Sequence, residues 1–276
     1  MRRIAPLTLL VVLACHHDEQ VGTIVGPPLR IERDASVPPA ASSTPPVAPV
    51  APVTAEVVDL DATGFHVDTA GCEQRILASV SGTVDVTVPL DKTQSALSKL
   101  APGDVLVLQG KGGYDVRGPG TVVRAIARLQ QCEPTRVGDI VGMRHQVRDV
   151  APLTWAGGKM RAWLMVDRSE AGLDGSTYVG FLEGTAPVAE HVHEGSWEVL
   201  CAAAAAGEFT LAGQKARLAS KTCVTVPPNT KHSWAPDPGS SLRAVQFYSP
   251  AGPEQRFRGL AAAELDAGVP KRDGGK

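Results

Sequence analysis

The chain is built from short apolar runs, many rich in Val, separated by turn residues; Val123-Arg124-Ala125-Ile126 and Ala244-Val245-Gln246-Phe247-Tyr248 are two of them. Runs of this length bounded by Gly and Pro predict β-strands rather than helices. The 28 Gly and 22 Pro residues supply the turns that a turn-rich all-β chain needs. Three stretches break the pattern. Ile4 to Ala14 is apolar apart from Pro6 and Thr8, and it follows Arg2 and Arg3. Val37 to Val53 is mostly Pro, Ala, Val, Ser and Thr. Such a segment favours an extended polyproline conformation and cannot bury a core, so residues 15–54 read as a tether. The tail, 258–276, opens with Leu260-Ala261-Ala262-Ala263-Glu264-Leu265, which predicts a short helix, and otherwise reads as flexible.

The first apolar run suits a secretory signal, whose core of about 7–15 residues is too short to span a bilayer. It ends in Val12-Leu13-Ala14-Cys15. That tetrapeptide resembles the bacterial lipobox, in which a small residue precedes a Cys that is lipidated and becomes the new N-terminus. The resemblance implies a signal peptide over 1–14 and a lipid on Cys15. The alternative is an ordinary signal peptide with an incidental Cys. His16, not Asp, follows the Cys, which under the sorting rule of enteric bacteria points to the outer membrane. The expected location is the cell envelope, on the outer membrane or the periplasmic face. No later segment is apolar enough to cross a bilayer, so a membrane is met through the lipid alone. A net charge of −2 predicts no affinity for nucleic acid, and 4% aromatics leave little for a base-stacking platform.

Candidate chemistry gathers near residue 190. His191-x-His193-x4-Glu198 puts two imidazoles at i and i+2, which on a strand project from one face. Glu194-Gly195-Ser196 reads as a turn that returns Glu198 beside them. Further on, Pro227-Pro228-Asn229-Thr230 reads as a second turn, in which Asn229 tolerates left-handed angles, and His232 opens the next strand. Two His on one strand are by themselves often packing residues. Three imidazoles and one carboxylate together suit Mn, Fe, Co, Ni or Zn.

These residues resemble the cupin superfamily over roughly 145–257. The first cupin motif, G-x5-H-x-H-x3,4-E-x6-G, is approximated by Gly184, His191, His193, Glu198 and Gly207, with longer gaps at both ends. The second, G-x5-P-x-G-x2-H-x3-N, is approximated by Pro227, Asn229 and His232; Asn replaces the usual Gly, and Pro236 stands where the final Asn belongs. The resemblance implies a double-stranded β-helix (jelly-roll) barrel over 138–257, with His191, His193, Glu198 and His232 as ligands of one divalent metal. On a barrel strand, Leu200, Ala202 and Ala204 would share the inward face with Glu198. Their small side chains either leave room above the metal or pack against a neighbour. Trp197 and Trp234 flank ligands and read as outer packing.

The region before it reads as a worn copy. Aligning Gly82 with Gly207 sets His66 on His191, Asp68 on His193 and Glu73 on Glu198; aligning Leu100 with Leu218 sets Tyr114 on His232. This predicts a bicupin whose degenerate first barrel spans about 55–133, with opening strands that the second barrel could lend, or else a smaller β domain. His66, Asp68, Glu73 and Tyr114 form a possible second metal site. The favoured reading is a half that lost its metal, because Tyr ligates weakly unless ionised. Besides Cys15, four Cys remain, and they allow three connectivities. Cys72–Cys132 and Cys201–Cys223 are preferred, since each pair then lies within one half.

The resemblance implies a metal-dependent small-molecule protein, with dioxygenase- or isomerase-like catalysis as one outcome. A non-catalytic envelope module that binds or senses a sugar or carboxylate is the alternative, and a structural scaffold is the third. Cupin barrels often pair, so a homodimer is open. Fold and ligands do not choose among these, nor whether the protein is an enzyme.

Overall fold

The computed structural model describes residues 10–13, 51–89, 95–129, 139–167 and 177–268. Cys15, Cys132 and most of the expected tether lie outside these. The first half contributes β1 (Leu10–Leu13), β2 (Val53–Leu60), β3 (Phe65–Thr69), β4 (Glu73–Gly82), β5 (Val84–Pro89), β6 (Ser95–Leu100), β7 (Val105–Gln109), β8 (Gly112–Arg117), β9 (Gly120–Arg128) and β10 (Asp139–His145). The second contributes β11 (Leu153–Trp155), β12 (Met160–Val166), β13 (Tyr178–Gly184), β14 (Val188–His191), β15 (Trp197–Ala204), β16 (Ala206–Leu211), β17 (Gln214–Ala219), β18 (Thr222–Val226), β19 (His232–Pro236) and β20 (Leu242–Ser249), followed by one helix, α1 (Gln255–Gly268).

Each half is a pair of antiparallel sheets. The first joins a six-stranded sheet, β1-β10-β7-β4-β9-β2, to a four-stranded one, β3-β8-β5-β6. The second joins β11-β12-β13-β20-β15-β18 to β14-β19-β16-β17. The duplication is explicit in the pairing. β4 lies between β7 and β9 as β15 lies between β18 and β20, and β3-β8-β5-β6 repeats the order β14-β19-β16-β17. The fold is an all-β double jelly roll.

Side-chain alternation builds three cores from these strands. On β4, Leu77 fills the first barrel, while Ile76 and Ala78 face away from it. On β15, Leu200 and Ala202 fill the second barrel, while Val199 and Cys201 face away. The outward residues of both sheets meet in one apolar cluster with Val105, Val107, Val179, Phe181, Val245 and Phe247. The two large sheets therefore pack face to face, and their strands are apolar on both sides. A chain that alternated apolar with polar would leave one barrel wall in water.

Two sequence expectations change, for β10 and for the segment beyond 258. β10, whose residues were assigned to the second barrel, extends the first barrel's sheet along β7. Ile140 enters the first barrel's core and Met143 enters the inter-barrel core, so burial on both faces draws this strand there. Leu10–Leu13, inside the expected signal peptide, pairs with β10 at the sheet edge. The segment beyond 258 is not a loose tail as far as it is described. α1 runs to Gly268, Phe257 in its first turn is buried and stacks on Trp155 at 5.3 Å, and Gly157 N–H donates to Glu264 at 2.7 Å. Burying one Phe contributes roughly 2–3 kcal/mol, enough to seat a helix of this length.

Cys201 and Cys223 are opposite one another on β15 and β18 and form a disulfide, Cα–Cα 4.0 Å. Cys72 is also disulfide-bonded; Cys132, its expected partner, is outside the described residues. The Cys201–Cys223 bond closes a loop of separation 22, for which loop-closure entropy gives roughly 3 kcal/mol. The double variant Cys201→Ala/Cys223→Ala is expected to unfold at lower denaturant concentration by about that free energy. An unchanged midpoint would show that the bond adds nothing beyond the packing of its two strands.

Candidate metal centre

β14 and β19 are neighbours in the small sheet of the second barrel, with His191 opposite His232. The ladder is irregular between Val188 and His191, and the chain leaves β14 directly after it. His193 sits in the following turn, where Gly195 adopts a positive φ of 73°. Its carbonyl accepts from Asn229 N–H at 2.9 Å, so the two ligand-bearing turns are tied together. Asn229 itself has φ 57°. The motif that this turn resembles has Gly there, which suits a left-handed angle, and Asn supplies it at small cost. Glu198 enters from the large sheet, near the start of β15, opposite Tyr248 on β20.

One ligand atom from each of His191, His193, Glu198 and His232 lies within 4.8 Å of every other. His193 Nε2 is 2.9 Å and His232 Nε2 3.0 Å from the same carboxylate oxygen, Glu198 Oε2. The Nδ1–H of His191 donates to the Ala189 carbonyl at 2.8 Å, and that of His232 to the Thr230 carbonyl at 2.9 Å. Those backbone bonds select the tautomer with a lone pair on Nε2, and they aim it inward. His191 Nε2 and His232 Nε2 are both buried and have no hydrogen-bond partner. The short approach of His232 to Glu198 is therefore off the hydrogen-bond direction. Two lone pairs and a carboxylate oxygen converge on one point, an arrangement that repels unless a cation lies between them. The donor set, three imidazoles and a carboxylate, suits a divalent first-row metal.

Electrostatics agree with the geometry. His191 is pulled down to about 3, chiefly by burial and then by the Arg256 charge, so it stays a neutral donor. Burial pushes Glu198 up, but the hydrogen bond with His193 and the close approach of the His232 imidazole outweigh it and hold the carboxyl well below its usual range. Glu198 is 3% exposed. An ionised carboxylate at that depth costs on the order of several kcal/mol unless it is paired.

The fold places a second layer that the sequence reading missed. Gln246 donates from Nε2 to Glu198 Oε1 at 2.6 Å, leaving Oε2 to face the imidazoles. The Tyr248 ring meets His193 edge-on at 4.8 Å, and Tyr178 stacks on Tyr248 at 5.4 Å. Alternation from Ala244 would have put Gln246 and Tyr248 on one face of the last strand. What hid them was that β20 is apolar on both sides, so no polar face marked its direction.

Solved structures of low sequence identity share the architecture. Lactobacillus farciminis oxalate decarboxylase in its formate complex superposes with TM-score 0.56 at 8% identity, covering 72% of this chain and 77% of that one. The vicilin of Solanum melongena gives 0.56 at 15%, covering 79% and 82%. A putative glyoxylate-induced protein from Pseudomonas aeruginosa gives 0.51 at 15%, covering 71% and 73%. The fold is that of a bicupin. No family model matches the sequence, and no curated protein matches it.

Among the described residues, the first barrel brings no second ligand set together. The His66 ring lies between the Asp115 carboxylate at 3.0 Å and that of Asp68 at 3.3 Å, which accept from it, on the barrel's exterior. Tyr114 pairs with Val67, not His66, and so points the opposite way into the barrel, buried and pushed up to about 12 by desolvation. Glu73 is held by Arg75 at 2.6 Å. Leu77, Leu108, Tyr114 and Ile140 occupy the first barrel's core. Trp234 also departs from expectation: it is 2% exposed inside the second barrel, packed with Val188 and Phe209, whereas Trp197 is half-buried. Ala202 is fully buried against the same core, which favours packing over open space at that position.

Replacing Gln246 by Leu keeps the volume but leaves Glu198 Oε1 buried without a donor. Loss of such a supporting bond typically costs roughly 10–100-fold in metal affinity. Competition with a chelator should show that loss for Gln246→Leu, while Gln246→Glu should shift the pH dependence of binding. Parental affinity in Gln246→Leu would mean the carboxylate is held by the imidazoles alone.

Proposed function

We propose that the second barrel binds one divalent transition metal and that the protein acts on a small molecule at that metal. The convergence of unpartnered His191 Nε2 and His232 Nε2 on Glu198 carries this reading. A bound metal would serve as a Lewis acid or activate water or dioxygen. The protein's part is to aim the imidazoles inward, fix the Glu198 carboxylate through Gln246, and hold the site dry among Tyr178, Tyr248 and Phe209. Metal-dependent catalysis, dioxygenase- or isomerase-like or a decarboxylation as in the oxalate decarboxylases of like fold, is the favoured outcome. Mn is then the first metal to try, before Fe, Co, Ni and Zn.

The same proposal includes export and anchoring through Cys15. Arg2, Arg3, the apolar run and Val12-Leu13-Ala14-Cys15 support it from the sequence. The Cys201–Cys223 disulfide and the disulfide-bonded Cys72 suit an oxidising compartment. Cleavage before Cys15 would remove β1, which pairs only along the outer edge of β10.

Two measurements check the two halves of this reading. Elemental analysis of residues 16–276, purified without a metal-affinity tag, should give about one metal equivalent, and almost none in the His191→Ala/His193→Ala variant. No metal after reconstitution with Mn, Fe, Ni or Zn would end the metalloprotein reading. In a bacterial host, radiolabelled palmitate should enter the parent and not Cys15→Ser. Equal labelling, or none in either, would remove the lipid anchor.

A further inference from the structure

Strand register fixes the place in the first barrel that corresponds to the metal centre of the second. A β-bulge interrupts the same ladder in both large sheets, between Ser79 and Ser81 on β4 and between Ala202 and Ala204 on β15. Counting back four residues from Ser79 and from Ala202 sets Arg75 where Glu198 stands. The pairs across the ladder agree: Leu77 is opposite Arg124 as Leu200 is opposite Gln246. In the small sheets, Val86 and Phe209 lie seven residues beyond Ser79 and Ala202. Val116 is opposite Val86 as Trp234 is opposite Phe209, so Tyr114 takes the place of His232. Val67, opposite Tyr114, takes that of His191. Among the candidate ligands, Glu198 thus becomes a guanidinium, His232 a phenol and His191 an apolar side chain, while the supporting Gln246 becomes Arg124. Acceptors have given way to donors.

The first barrel is more open beside these residues than the second. Arg75 and Arg124 lie on the inward faces of β4 and β9, since Leu77 and Val122, each two residues away, fill the barrel core. The Arg75 side chain is 14% exposed and that of Arg124 31%. Phe65 and Val67, which pack on the same core, are half-buried, and so is Ile126, opposite Arg75. Their counterparts at the metal centre, Glu198 and Tyr248, are buried. The Arg124 guanidinium lies 5.0 Å from the centre of the Phe65 ring, so it reaches from the large sheet to the small one. Each guanidinium gives one nitrogen to a carboxylate: Arg75 Nη2 to Glu73 at 2.6 Å, and Arg124 Nε to Glu56. A guanidinium carries five N–H donors, and Arg75 Nε is buried without a hydrogen-bond partner. Tyr114 is buried and keeps its proton, because burial raises its hydroxyl.

We propose that Arg75, Arg124 and Tyr114 form an anion site in the first barrel, the charge-inverted counterpart of the metal centre, and that it takes a monocarboxylate with a small apolar body. Glu56 and Glu73 balance the two guanidiniums, which suits a ligand of one negative charge better than one of two. A carboxylate supplies acceptors to the remaining guanidinium donors, and half-buried Phe65, Val67 and Ile126 offer apolar surface to its body. An uncharged amide of the same shape forgoes the charged hydrogen bonds and keeps only the apolar contact. The site needs no metal, so it stands or falls apart from the reading of the second barrel.

Titration calorimetry with benzoate, and with benzamide as its uncharged counterpart, tests this. It is run on the parent protein and on the His191→Ala/His193→Ala variant, in which a carboxylate cannot be held by a metal in the second barrel. Both should bind benzoate saturably and about equally, and benzamide roughly tenfold or more weakly. Arg75→Gln, with its circular dichroism unchanged, should lose roughly 10–100-fold in benzoate affinity, the range for removing one charged hydrogen-bond partner. Arg75→Lys should recover part of that loss, and Tyr114→Phe should weaken benzoate by a smaller factor. No saturable benzoate binding in the His191→Ala/His193→Ala variant, benzamide bound as tightly as benzoate, or folded Arg75→Gln at parental affinity would overturn the anion site. Arg75 and Arg124 would then only brace the barrel through their ion pairs. If Arg75→Gln does not fold, the comparison of benzoate with benzamide in the His191→Ala/His193→Ala variant decides alone.

Discussion

Glu198 is the group on which the second barrel depends. It is an ionised carboxylate in a nearly sealed barrel, and burial alone would favour its neutral form. The fold answers with donors from both sheets. Gln246 comes from the neighbouring strand of Glu198's own sheet and His193 from the turn after β14 of the opposite one, while His232 brings an unpartnered Nε2 to the same oxygen. Closing the two sheets therefore does two things at once. It removes water from the carboxylate, and it assembles the groups that make an ionised carboxylate tolerable there. A cation among His191, His193, His232 and Glu198 would complete that balance, because it would give the unpartnered imidazole nitrogens something to bind.

The same closure shapes the rest of the molecule. The large sheet that carries Glu198 has its other face against the first barrel, through Val199, Cys201, Val245 and Phe247. Glu198 and Leu200 can face the barrel core only while Val199 and Cys201 face a dry partner surface, since a one-residue slip would exchange the two sets. The first barrel supplies that surface. Leu77, Leu108 and Tyr114 fill its core, and a core packed that way needs no metal to stay closed. The duplicated half thus keeps the ligand-bearing strand in register.

The four candidate ligands were legible because they follow local rules. His191 and His193 are two apart, Glu198 lies one turn on, and His232 follows a turn marked by Pro227, Pro228 and Asn229. The all-β class and the duplication were legible for the same reason, since both show in short runs and their spacing. What was not legible depends on pairing between distant strands. β10 joins the first barrel because Ile140 and Met143 find apolar surfaces on both sides, and neither surface exists before the barrels meet. The worn copy was aligned residue by residue, but β3 presents Val67, not His66, to Tyr114. A shift of one position in a strand turns a set of possible ligands outward. Trp234 was placed outside for the complementary reason: it shares the inward face of β19 with His232, two residues away.

The residues around the ligands were hidden by burial on both faces of β20. In a half-exposed strand, Gln246 and Tyr248 would stand out as polar positions on a dry face. In β20, where residues 244–249 are all buried, alternation no longer separates inside from outside. Sequence pattern then gives the strand but not its facing, and only the register against Glu198 and Leu200 assigns Tyr248 and Gln246 to the metal side.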